Sequence, residues 1–310
     1  MSIWAVEGRA RLPDAAFNAL RGQQASQSTH GWPDNRVLEL DGTRAAYDAW
    51  GKLTERIEPD GAKLELTWDG ADRLVTLWRR DGGGQITEAR YTYDALGRRI
   101  RKEVSEPDGM TMIRFGWEGD RQVAEEIDGQ LTRTTVYEPE SFVPLARIEM
   151  RARASDEDDQ DQAAEQAEVQ AMLAQVKHML LSGGLALPKE LLEAQQTLAP
   201  SIIRIGWFHT DHLGTPLALT DEKGKPLWYG RPDDWGAVTD TQGSVSQRIR
   251  FQGQYYDPES GLYYNRHRYY DPAMGCYISQ DPIGLIGGLN FYTYVKGLSL
   301  IHISEPTRPY

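Results

Sequence analysis

The sequence predicts an all-β fold: a curved, twisted sheet of consecutive hairpins, interrupted by one helical insertion. Three observations carry that expectation. With 30 Gly, 16 Pro, nine Trp and 15 Tyr in 310 residues, the composition favours turns and strands over a helix bundle. A weak internal repeat runs through residues 45–137, where YDAWGKLTER, WDGADRLVTLW, YDALGRRIRK and WEGDRQVAEE share one shape. An aromatic residue is followed by an acid, a short turn with Gly, then Arg or Lys before an alternating run. The acids Asp48, Asp69, Asp94 and Glu118 stand 21, 25 and 24 residues apart, a step that marks stacked hairpin units and is too short for propeller blades of roughly 40–45 residues. Finally, the strand grammar breaks once, at Arg151, and returns at Ser201.

In chain order, residues 1–35 carry no assignable pattern. Residues 36–150 read as hairpins. Their turns include PDG (59–61), DGGG (81–84), PDG (107–109) and DGQ (128–130), the chemistry that reverses a strand. KLELTW is expected to put Leu64, Leu66 and Trp68 on one face, and RLVTLW to put Leu74, Thr76 and Trp78 on one face. The repeat acids are read as structural, bonding turn amides while the aromatic packs on the sheet. GRRIRK (97–102) is the one basic patch, and it alternates as a strand would.

Residues 151–199 form an acidic linker and helical insertion. The acid run from Asp156 to Asp161 is read as solvated linker and N-terminal helix charge. It lacks the glycine and closing glutamate of an EF-hand calcium loop. Val169, Met172, Leu173, Val176, Met179 and Leu180 then recur at helical spacing, with Val169, Leu173, Val176 and Leu180 expected to face protein. Gly183-Gly184 stops that helix, and a second is expected over 187–198, starting at Pro188. Residues 200–297 return to strands, with turns at DHLGTP and DEKGKP and three Asp-Pro turns at Asp257, Asp271 and Asp281.

A net charge of −12 argues against a broad nucleic-acid footprint, which needs a basic face. One cysteine, Cys276, excludes an internal disulfide framework and has no basic context that marks a nucleophile. The N-terminal stretch shows no secretory leader and no run of about 18 apolar residues occurs, so the chain is expected to be made in the cytoplasm without a membrane span. If it leaves the cell, something other than a signal peptide carries it. No nucleophile elbow, phosphate loop or dinucleotide fingerprint occurs, and no cofactor is expected. HTDH offers His209, Asp211 and His212 at a spacing that could ligate metal, but nothing clusters with them, and no metal site is assigned.

The stretches FHTDHLGTPLALTDEKGKPLWYGRPDDWGAV and IRFQGQYYDPESGLYYNRHRYYDPAMGCYISQDPIGLIGGLNFYTYV, with YDALGRRIRK upstream, resemble the C-terminal end of the Rhs (YD-repeat) core. The likeness covers roughly residues 47–295 apart from the insertion. It implies a bacterial polymorphic-toxin carrier whose hairpins wind into a hollow shell, a β-cocoon, around a C-terminal toxin. It implies delivery by a secretion apparatus, often type VI, possible help from an adaptor chaperone, and a role in interbacterial competition. It also implies, as the alternative function, an aspartyl autoprotease at the core end. Such a protease needs two carboxylates sharing a proton. Asp281, in QDPIGL, matches the first, and its partner would lie in a second Asp-Pro-x-Gly-Leu absent from this chain, or less plausibly at Asp271. The resemblance therefore implies an inert segment here and a self-cleaving parent. LSLIHISEPTR (298–308) resembles one reading frame of a transposase-based sequencing adapter, which implies that residues 298–310 are assembly read-through and that the chain is a fragment of a larger core.

Overall fold

The computed structural model describes residues 35–151, 201–233, 235–284 and 290–293, with three isolated positions, Ala171, Ala174 and His178. The N-terminal segment, most of the helical insertion with Val169, Leu173, Val176 and Leu180, and residues 298–310 lie outside the described residues.

Among the described residues, nineteen strands run in chain order. The first five are β1 (Glu39–Leu40), β2 (Thr43–Tyr47), β3 (Leu53–Ile57), β4 (Lys63–Trp68) and β5 (Leu74–Arg80). Next come β6 (Ile86–Tyr93), β7 (Arg99–Glu106), β8 (Gly109–Glu118), β9 (Arg121–Ile127), β10 (Leu131–Tyr137) and β11 (Pro144–Arg151). After the insertion follow β12 (Ser201–Thr210), β13 (Pro216–Thr220), β14 (Pro226–Pro232) and β15 (Val238–Gly243). These fifteen make one antiparallel sheet in strict sequence order, running through both sides of the insertion, and the sheet is open. The last four, β16 (Tyr255–Asp257), β17 (Leu262–Asn265), β18 (Arg268–Asp271) and β19 (Cys276–Tyr277), make a second open meander.

One turn recurs through the large sheet. At Asp48, Asp69, Asp81, Asp94, Asp211, Asp221 and Asp233, the carboxylate Oδ1 accepts the amides two and four residues on, at 2.7–2.9 Å. The amide three residues on donates to the Asp carbonyl. That third residue needs a positive φ, and it is Gly at six of the seven turns and Asp72 (φ 59°) at the other, as left-handed backbone demands. The structural reading of Asp48, Asp69 and Asp94 therefore holds. Glu118 departs from it: Glu118 pairs directly with Arg121 across a two-residue Gly119-Asp120 turn.

Beyond six of these seven Asp turns the register slips by one residue. Such a bulge moves the following residues to the opposite face, and it corrects two sequence expectations. In β5, Leu66 pairs with Leu77 and Trp68 with Leu74, so Val75 is the extra residue. Leu74 and Leu77 are the buried pair, while Thr76 and Trp78 are only half-buried. In β7, Ile100 is the extra residue and is exposed, while Arg99 and Lys102 point inward. The expected alternation of GRRIRK is thus broken, with Arg99 and Lys102 inside and Ile100 and Arg101 outside.

The small sheet is covered on both faces. Leu262, Tyr264, Tyr269 and Ile278 pack against Leu53, Leu64, Leu66, Leu74 and Leu77 of the large sheet. On the opposite face, Tyr256, Tyr263, Tyr270 and Tyr277 stack on one another with ring centroids 5.7–6.2 Å apart. There Tyr263 donates to the Gly236 carbonyl at 2.9 Å and Tyr270 to that of Trp235 at 3.0 Å, in the turn between β14 and β15. One continuous meander therefore reaches both faces of the small sheet.

Candidate functional site

Between the two sheets lies a buried set of ion pairs. Its cations come from the large sheet and its acids from the small one. Arg99, with no exposed surface, donates from Nη1 to Asp257 Oδ2 at 2.5 Å and from Nη2 to Oδ1 at 3.0 Å. This is the fork geometry that makes arginine–carboxylate pairs strong. Lys102 Nζ reaches Asp257 Oδ1 at 2.8 Å and Glu259 Oε2 at 3.0 Å, and the Tyr91 hydroxyl donates to Glu259 Oε1 at 3.0 Å. Farther along the interface, Arg56 Nη1 donates to Asp271 Oδ2 at 2.5 Å, and Nη2 to the Ser260 carbonyl at 3.2 Å.

Aromatic rings wall the centre of this cluster. The Arg99 guanidinium lies 4.2 Å from the Tyr264 ring centroid, 4.9 Å from that of Phe115 and 5.2 Å from that of Tyr91, distances at which ring faces attract a cation. Burial alone would raise the Asp257 carboxyl, but the charges of Arg99 and Lys102 outweigh it and hold the group below the usual carboxylate range. Burial pushes the Tyr91, Tyr255 and Tyr269 hydroxyls well up. A carboxylate clamped between two cations is a poor general base and a poor proton donor at neutral pH, so this chemistry suits adhesion rather than catalysis.

The sequence-derived site residues stand elsewhere. Asp281 accepts the Ile283 amide on Oδ1 at 3.1 Å, faces Arg268 Nη2 from Oδ2 at 3.1 Å, and donates its own amide to the Phe291 carbonyl at 2.9 Å. Asp271, its less plausible partner, is fully buried on Arg56. Each aspartate thus has an arginine of its own. Asp257 and Asp271 do form the expected Asp-Pro turns, and they also carry the buried pairs. Of HTDH, Asp211 caps its turn, while His209 Nε2 lies 2.9 Å from Thr220 Oγ1 and His212 is exposed. Cys276 is buried beside Val37, Met274 and Tyr292. Among the described residues, no helix is long and apolar enough to cross a membrane.

Sequence reasoning missed Arg56, Arg99, Lys102 and Glu259, saw Asp257 as a turn residue alone, and weighed Asp271 only as a turn residue and a less favoured partner of Asp281. The available signal was a pair of cations at β7 positions that the bulge turns inward. Nothing local names their partners, which stand 155–215 residues away.

Family models described as RHS Repeat and RHS protein match residues 47–86 and 205–242. The chain is 48% identical over 274 residues to "Toxin protein Tse5" of Pseudomonas aeruginosa, covering 88% of this chain and 19% of that protein. It is 35% identical over 294 residues to "Double-stranded DNA deaminase toxin A" of Burkholderia cenocepacia, covering 91% of this chain and 18% of that one. The chain therefore spans about a fifth of the length of these relatives. Among solved structures, the TcdB2-TccC3-Cdc42 complex aligns at 17% identity and a TM-score of 0.49, over 82% of this chain and 13% of that one, a likeness too slight to bear on role.

Proposed function

Because the chain is a homologue of the Rhs/YD-repeat polymorphic toxins, we propose that it is a carrier-shell segment, whose longer parent encloses and delivers a toxic C-terminal segment. One observation carries this reading. A single fifteen-stranded meander touches both faces of the four-stranded sheet, so it bends around whatever lies inside it, and the small sheet is the first contents. Repeated Asp turns and bulges supply the bend, since bulges increase local twist. In this reading the small sheet is an inner plug fastened by the Arg99, Lys102 and Arg56 pairs. The parent's partners are its own toxin segment, a secretion apparatus and an adaptor chaperone, and it leaves the cell without a signal peptide. The test is protease protection of the toxin segment within the purified parent. Survival at least tenfold longer than that of the same segment expressed alone is expected, and equal lifetimes would defeat the reading.

A second activity belongs to the same proposal. Asp281 follows the small sheet; its amide donates a hydrogen bond to the Phe291 carbonyl, and the neighbouring Tyr292 hydroxyl donates to the Gly51 carbonyl at 2.8 Å. We assign it as one carboxylate of a self-cleaving pair completed in the parent, with this chain alone inert. Asp281→Asn in the parent should abolish a single self-cleavage seen on a gel. Undiminished cleavage would remove Asp281 from the mechanism.

A further inference from the structure

A cavity of about 40 Å³ with charged and aromatic walls lies between β9–β11 and the segment leading into the small sheet. That is room for roughly three water-sized spheres. Glu125, Arg133, Arg147, Arg248, Gln254 and Tyr255 are among its walls.

The charges around it do not balance. Glu125 accepts from Arg133 Nη1 at 3.1 Å and from the Tyr255 hydroxyl at 2.5 Å. Glu149 is shared by Arg133 at 3.1 Å, Arg147 at 2.9 Å and the more exposed Arg204 at 3.5 Å. The other acid on the wall, Asp120, is taken by Arg266 at 3.0 Å. Three arginines thus crowd Glu149, while Arg248 donates from Nη1 to the Tyr255 hydroxyl at 3.2 Å and shares the charge of Glu125 with Arg133.

Donors are also left over. Arg147 gives Nη1 to the Ser246 carbonyl at 2.7 Å. Its Nη2 lies near Glu149 but off hydrogen-bond geometry, and its Nε has no acceptor. Arg248 Nε has none either. Burial, only partly offset by Glu149, pushes the Arg147 guanidinium down to about 10. A buried cation short of counter-charge is costly, and an anion in the cavity would remove that cost.

We propose that this cavity binds one small monovalent inorganic anion of chloride size, held by Arg147 and Arg248. Glu125 on the same wall disfavours a doubly charged oxyanion. The site fastens the lead-in of the small sheet to β9–β11, and it stands independently of the carrier reading.

The experiment uses the full chain in sodium chloride against sodium gluconate at constant ionic strength, gluconate being too bulky to enter. Chloride should raise the melting temperature saturably, and the protein should broaden the chlorine-35 resonance beyond its width in protein-free chloride buffer. Arg248→Gln should weaken chloride affinity at least tenfold, and Arg147→Met should abolish it. If Arg147→Met does not fold, the wild-type and Arg248→Gln broadening decide the matter. Identical melting in both salts with no broadening would mean a water-filled cavity and would overturn the proposal. So would broadening that persists undiminished in Arg248→Gln, which would mark binding elsewhere on the surface.

Discussion

The two sheets of this molecule are assembled by different physics. Seven hairpins of the large sheet are specified within about five residues: an Asp caps the turn, a Gly takes the positive φ at six of them, and a bulge resets the face at six. The small sheet has two-residue and Asp-Pro turns of its own, but its seating depends on side chains whose partners lie 130–215 residues away. Local rules can thus build a long sheet one step at a time, whereas an inner sheet is held only after the long one exists. The interface joins the two regimes with an apolar cluster and buried ion pairs.

The sharpest way to break this contrast is to remove Asp257. Leaving Arg99 and Lys102 buried without their shared acid should cost about 3–5 kcal/mol, as is typical for breaking a buried pair on one side. Asp257→Ala should therefore lower the urea midpoint strongly and make the 246–293 region the first to exchange amide hydrogens. Wild-type protection there would mean that the apolar contacts alone seat the sheet.

Acid tests the same fastening without mutation. Asp257 and Glu125 are both held below their ordinary values; burial raises each, but Arg99 and Lys102 outweigh it at Asp257, and Arg248 and Arg133 do so at Glu125. A depressed folded value gives stability that is full above the unfolded pKa of about 4 and is lost as pH falls through the folded value. Stepping pH from 5 to 2 should thus erase near-UV tyrosine dichroism of the small sheet before far-UV strand signal. Simultaneous loss of both would show that the two sheets do not differ in acid sensitivity.

The smallest expected effect is in the large sheet. Asp94→Ala removes the acceptor for the Leu96 and Arg98 amides. Because that turn is open to water, the cost should be about 1–2 kcal/mol, comparable to losing a helix cap. Amide exchange should rise in β6 and β7 alone. Spread of the effect to β13–β15 would mean that the hairpins are coupled more tightly than their local turns suggest.

The hairpins, the Asp turns and most of the inward positions were legible in the sequence, because their causes lie within a few residues: an acid two and four places before an amide, a Gly where φ is positive, a period of two. The inversion of Arg99 and Ile100 was not legible, since a one-residue bulge leaves no mark in the pattern but moves every later side chain across the sheet. Nor was the pairing of Arg99 with Asp257 or of Arg56 with Asp271 visible, because charge gives no direction along the chain. Asp281 was legible as an Asp-Pro turn, and its arginine, Arg268, was not. The sequence alone determined a meander of capped hairpins and its kinship. Only the tertiary structure decided which charges go inside, because burying an ion is favourable only where a partner from a distant strand meets it.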